Sequence, residues 1–146
     1  MKKIFVILSA VISLFLIGCA TTGGSSKTGA KGTTPSQICG EWKIQSLTGF
    51  ENAEHFGATL SVFANENEEF SLNGYSGVNS YFANLADTSK AFPIGNNLAS
   101  TKMMGAPEDM AFEDELLKVI ANAKSWKIEG RKLTVTDGKT SAVFVK

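Results

Sequence analysis

Few side chains in this 146-residue chain have the type and spacing that catalysis demands. The single histidine, His55, has no cysteine or second histidine near it in sequence, so a metal centre has nothing to assemble from. A structural or solvated histidine is the expected role. Cys39 as a nucleophile needs a histidine and an electropositive setting; a packed free thiol beside the first strand needs neither. Glu108, Asp109, Glu113, Asp114 and Glu115 offer carboxylates for acid–base work. Helix capping and a solvated helix face explain them at less cost. The Gly74 and Gly77 pair could cradle a phosphate, but the lysine and serine that complete such a loop are missing. Tyr75, Tyr81, Phe82 and Trp126 could form an aromatic binding surface, and core packing is the favoured alternative. No metal, no cofactor and no enzymatic activity is expected.

The elements that must position these residues are those of one domain. With 43% apolar residues and three prolines, the length fits a single core. Formal net charge is zero, which favours neither nucleic acid nor an acidic surface as partner. The stretch 73–84, NGYSGVNSYFAN, reads as the bend around which the fold is organised. Gly74 and Gly77 permit a bulge or sharp corner, and Asn79 can hold that corner by hydrogen-bonding local backbone. Around it, alternation predicts strands over Glu41–Thr48 (Trp42, Ile44 and Ser46 on one face), Thr59–Ala64, Glu69–Asn73 and Tyr81–Leu85. His55 falls in the loop between the first two. Short extended segments are expected over Ala91–Ile94 and Leu98–Met103. Pro107 fits the first position of a helix reaching about Ala123, with Glu108 and Asp109 in its first turn. Phe112, Leu116, Ile120 and Ala123 form its apolar stripe, while Glu113, Asp114 and Glu115 face largely outward. Trp126/Ile128, Leu133/Val135 and Ala142–Val145 read as a closing meander, with Asp137-Gly138 as a two-residue hairpin turn. The fold class is α+β: an antiparallel, barrel-like curved sheet of about eight strands with one α-helix.

The N-terminus carries an address. Lys2 and Lys3 precede an uncharged run over residues 4–17, too short to span a bilayer comfortably and suited to a secretory signal. It ends in Leu16-Ile17-Gly18-Cys19, which resembles the lipobox of bacterial prolipoproteins. That resemblance implies a signal peptide over 1–18, a diacylglyceryl thioether on Cys19 and acylation of its new amino group. Residues 20–36 lack any large apolar side chain and read as a flexible Gly/Ser/Thr tether, so that 19–36 links the membrane to a domain over 37–146. Loss of Lys2 and Lys3 leaves the mature chain near −2. Ala20 stands where an aspartate would resemble an inner-membrane retention signal, so the periplasmic side of the outer membrane is the preferred location.

From Gly40 to Lys146 the order of elements resembles the META domain, the module of HslJ-type heat-shock lipoproteins. The resemblance rests on Gly77-Val78-Asn79 followed by Tyr81-Phe82, on Thr101-Lys102-Met103-Met104-Gly105, and on Glu113 with Leu116, Leu117 and Ile120 after it. Relatives carry cysteine at the positions of Val78 and Gly105; if those form a bridge, this chain lacks both halves. The family pattern also singles out Glu113, whose expected role is hydrogen bonding to backbone of the central bend. Family-motif residues, structural or binding, are thus Gly74, Gly77, Asn79, Tyr81, Phe82, Thr101, Met103 and Glu113. The resemblance implies a link to heat or envelope stress and, in some members, novobiocin tolerance. The expected function is a non-enzymatic, lipid-anchored monomer that binds a peptide, protein or small ligand at a strand edge or barrel mouth. The other reading is a structural envelope lipoprotein with no specific ligand.

Overall fold

The computed structural model describes residues 30–31, 35–67, 69–85 and 97–146. Cys19, the run 4–17 and the extended segment expected over Ala91–Ile94 lie outside the described residues. The strands are β1 (Ala30–Lys31), β2 (Gly40–Leu47), β3 (Thr59–Ala64), β4 (Phe70–Tyr75), β5 (Ser80–Leu85), β6 (Ala99–Ser100), β7 (Ser125–Glu129), β8 (Lys132–Thr136) and β9 (Ser141–Val145). One helix, α1 (Pro107–Ala121), lies between β6 and β7, and 3-10 turns cover Pro35–Ile38 and Ala53–Phe56.

All nine strands form one antiparallel sheet in the order β1-β7-β8-β9-β2-β3-β4-β5-β6. It curves over α1 without closing: β1 and β6 are its two edges among the described residues. Most strands pair with their neighbours in sequence, but β9 against β2 joins segments about a hundred residues apart. Ala30 and Lys31, within the stretch read as a tether, stand opposite Ile128 and Lys127 of β7.

Alternation decides which side chains enter the core, with one interruption. Trp42 and Ile44 face inward as their spacing predicts, but the β2–β9 register shifts between Ile44 and Ser46. That bulge reverses the parity, so Leu47 is buried and Ser46, expected inside, is exposed. The β8–β9 connection also differs from the two-residue turn expected. Thr136 pairs with Ser141, leaving four loop residues, because the Asp137 carboxylate accepts the N–H groups of Lys139 and Thr140 at 2.8 Å each. Those backbone donors hold the Asp137 carboxyl below its usual pKa. The two-residue turn is instead Gly130-Arg131, with Gly130 at φ 62°.

Helix α1 begins with Pro107 at its first position and places Glu108 and Asp109 in the first turn, as read from sequence. Its inner stripe is Phe112, Glu113, Leu116, Val119 and Ile120. The four apolar members meet Trp42, Leu60, Leu72, Leu133, Val135 and Phe144 in one core. Each such side chain contributes roughly 1.5–3 kcal/mol by leaving water. Phe56 stacks on Phe112 at a centroid distance of 4.0 Å, and Phe50 meets the same ring edge-on at 5.3 Å. At the opposite end, the Trp42 indole donates to the Ile38 carbonyl at 2.7 Å, and the Lys146 ammonium sits 4.2 Å from the Trp42 ring centroid. The same ammonium donates to the Cys39 carbonyl at 2.7 Å, tying the last residue to the entry of β2.

Gly74 belongs to β4 rather than to the turn, and it is needed there for space. A Cβ on it would lie 2.1 Å from the Thr59 carbonyl oxygen and 2.6 Å from the Tyr81 ring. Tyr81 crosses the glycine to donate from its hydroxyl to that Thr59 oxygen at 2.7 Å. Gly74→Ala is therefore expected to lower stability by about 1–3 kcal/mol, because two backbones and a ring must part to admit one methyl. Urea unfolding followed by tryptophan fluorescence measures it, and an unchanged midpoint would contradict so tight a fit.

Candidate functional site

The β4–β5 turn is where the chain concentrates buried polar groups. Ser76-Gly77-Val78-Asn79 must turn over the helix, and Gly77 does so at φ 109°, a conformation that disfavours a side chain. A Cβ there would also lie 3.3 Å from Phe112. Ser76 and Asn79 are 0% and 1% exposed, and Glu113, pointing up from α1, is 4% exposed. Such burial demands partners.

Glu113 supplies them. Its Oε2 accepts the Asn79 backbone N–H at 2.7 Å and the Ser76 hydroxyl, and its Oε1 accepts the Asn79 side-chain amide at 2.7 Å. Burial alone would raise its pKa. Donation from Ser76, from the Asn79 side chain and from the backbone N–H groups of Asn79 and Val78 outweighs burial and holds the carboxyl below its ordinary value. Asn79 then spends its remaining capacity on the segment after β6. Its Oδ1 accepts the Thr101 hydroxyl and the Met103 N–H, each at 2.7 Å, and its Nδ2 donates to the Met103 carbonyl at 3.1 Å. The Thr101 hydroxyl in turn accepts the Ser80 N–H at 3.2 Å. One amide and one carboxylate thus clamp three segments: the 76–79 turn, the 101–103 segment and α1.

Several sequence expectations meet here and others separate. Gly77, Asn79, Thr101, Met103 and Glu113 come together, Thr101 through its hydroxyl and Met103 through its backbone. Glu113 does bond to the backbone of the bend, but the expectation that it faces outward with Asp114 and Glu115 is corrected. It lies one residue from Phe112 and three from Leu116 on the stripe that the core claims. Tyr81 is core, whereas Phe82, its neighbour on an alternating strand, is 62% exposed on the outer face. Trp126 is buried and Tyr75 is 39% exposed, so the aromatic set divides evenly between core and surface. His55 is exposed at the end of the Ala53–Phe56 turn. Cys39 is a half-buried free thiol against the Pro35 carbonyl; burial raises its pKa and Lys146 pulls it down. Ser76 was not singled out by sequence reasoning. A hydroxyl beside Gly77 inside a bend that must pair buried polar groups is the signal that marks it.

Val78 and Gly105, the two positions for which the family resemblance implies cysteine, also meet. A Cβ built on Gly105 would lie 3.4 Å from the Val78 Cβ and 2.6 Å from its Cγ2. Val78 fills the space that a side chain at 105 would need. The profile of the META domain matches residues 36–146, and this clamp lies wholly within it.

The chain belongs to the META domain family.

A protein of Burkholderia xenovorans solved by NMR has a similar fold, with a TM-score of 0.58, 15% identity and coverage of 84% of this chain and 94% of that one. At that identity the likeness concerns fold alone. No curated protein matches the chain. Viewed chemically, the META clamp has its carboxylate oxygens and amide fully engaged, so its arrangement serves to position backbone. Concave surface lies elsewhere. A cleft of about 470 Å³ is lined by Lys43, Ile44, Glu54, Ala58, Thr59 and Val145, and another of about 430 Å³ by Lys118, Asn122, Lys124, Asp137, Lys139 and Thr140.

Proposed function

We propose that this META protein is a lipid-anchored, non-enzymatic binding module of the cell envelope, held through Cys19 on the periplasmic side of the outer membrane and serving heat or envelope stress tolerance by engaging a peptide or protein. The signal-like N-terminus and lipobox support the address, and the resemblance to HslJ-type lipoproteins supports the stress role. The carrying observation is the outer face of β2–β5. Val145, Lys43, Thr59, Tyr75 and Ser80 form one cross-strand row, so the 470 Å³ cleft runs on towards Tyr75. Beyond it Phe82 is 62% exposed, and Met103 and Met104 are 58% and 93% exposed past β6. Solvent-facing aromatic and thioether groups on strands that continue from a cleft support the reading of a surface that engages another molecule.

A photo-crosslinking residue placed at Phe82 in cells is expected to yield one discrete adduct, and the same residue at Thr134 is expected to yield none. Met104→Ser introduced alongside should cut the adduct several-fold without changing the unfolding free energy by more than about 0.5 kcal/mol, since Met104 is 93% exposed. Equal labelling from both positions would retire the binding surface. That result would leave a structural envelope role.

A further inference from the structure

Charge is distributed unevenly along the chain. From residue 124 onward there are six basic residues, Lys124, Lys127, Arg131, Lys132, Lys139 and Lys146, against Glu129 and Asp137, whereas residues 37–123 hold twelve acidic and four basic. Antiparallel pairing puts Lys127 on β7 and Lys132 on β8 with Arg131 in the turn between them, at one side of the sheet, while the other three lie in loops or beyond strand ends. Lys127 and Lys132 are exposed, their neighbours Trp126 and Leu133 being buried, and Arg131 is exposed in the turn between them. Glu129 is engaged by Lys127 at 2.7 Å. Arg131 and Lys132 make no ion pair among the described residues.

The N-terminal chain arrives at the same place. Ala30 stands opposite Ile128 and Lys31 opposite Lys127, so β1 lies along the outer edge of the β7–β8 hairpin. From Cys19 to Ala30 the chain reaches no more than ~40 Å even fully extended. A membrane holding Cys19 is thus always within reach of this hairpin.

We infer that the β7–β8 hairpin is a docking surface for anionic lipid headgroups, with Lys127, Arg131 and Lys132 contacting phosphate; this rests on the lipid-anchor reading above. Each basic side chain is attracted to an anionic leaflet only within a Debye length, which is weak for a free protein. An acyl anchor supplies the local concentration that makes a weak contact count. Tyr75 and Phe82, on β4 and β5, lie four to six strands along the sheet from this hairpin.

The test uses the full lipidated protein reconstituted into vesicles containing phosphatidylglycerol or phosphatidylcholine alone, treated with a water-soluble amine-acetylating reagent. Labelling at Lys127 and Lys132 is expected to be at least threefold slower on the anionic vesicles, with exposed Lys102 unchanged as reference and the difference lost in 0.5 M salt. Arg131→Glu with Lys132→Glu should restore labelling at Lys127. Equal rates on both vesicles, or protection centred on Lys102, would overturn the docking surface. Flotation in 0.5 M salt reads the anchor separately, with Cys19→Ser as its control. Flotation without protection keeps the anchor and removes the surface, whereas protection at low salt without flotation keeps the surface and removes the anchor.

Discussion

Glu113→Ala is expected to destabilise the domain by about 3–4 kcal/mol, which is large for one surface-length side chain on a 15-residue helix. The change removes the acceptor for the Asn79 backbone N–H, the Asn79 amide and the Ser76 hydroxyl, all of them buried. Each stranded donor costs about 1–3 kcal/mol, partly relieved if water enters. Glu113→Gln keeps the volume but in either orientation turns an NH₂ group towards a buried donor, the Asn79 amide at the Oε1 position or the Asn79 N–H and Ser76 hydroxyl at Oε2, so it should lose roughly half as much. The variants also separate in pH. Hydrogen bonding holds the folded pKa of Glu113 below the unfolded carboxylate value of about 4.3. Its stabilisation is therefore complete above that value and is lost as pH falls through the folded pKa. Urea titrations between pH 7 and pH 2 should show a steeper loss of stability in the wild type than in Glu113→Gln. Parallel curves would mean that Glu113 does not carry its charge into the fold.

The second large effect is a gain. Val78→Cys with Gly105→Cys is expected to close a disulfide and raise stability by about 3–4 kcal/mol, the value loop closure predicts for a bridge of this sequence separation. The geometry favours it: the Cβ positions lie 3.4 Å apart, just under the roughly 3.5–4.5 Å that real bridges show, so a slight widening seats the bridge. Gly105→Cys alone should destabilise, because its Cβ meets the Val78 methyl at 2.6 Å, and Val78→Cys alone should leave a small void. Thermal unfolding with and without reductant measures all three. A double variant that resists oxidation, or that gains nothing on oxidation, would show that the two segments move apart more readily than the Asn79 clamp allows. In the natural pair, valine against glycine, the Val78 side chain fills the space beside both positions.

How much of this was legible beforehand depends on the range of the interaction. The strand over Thr59–Ala64 is decided by alternation within six residues, and it was read with its bounds. The start of α1 is decided by Pro107 and the acidic first turn, both local. The META resemblance and the order of elements could likewise be read from residues in sequence order. Other features were decided only when distant segments met. Ser46 was assigned to the core by parity, but the bulge that reverses parity is set by the register of β2 on β9, almost a hundred residues away. Periodicity placed Glu113 on the solvated face with Asp114 and Glu115, and only the family pattern pointed it at the bend, because its partners are thirty-four and thirty-seven residues earlier. Phe82 and Tyr81 are indistinguishable as aromatic neighbours until the sheet assigns them opposite faces.

Sequence alone therefore determined the helix, most strands and a bend within the stretch 73–84, because each depends on backbone preferences and periodicity over a few residues. Tertiary structure decided which polar groups the bend would bury, which aromatic side chains would stay in water, and that Val78 would fill the space beside Gly105. Those outcomes follow from close packing and hydrogen-bond satisfaction between elements far apart in the chain, and no local pattern encodes a contact with a residue thirty positions away.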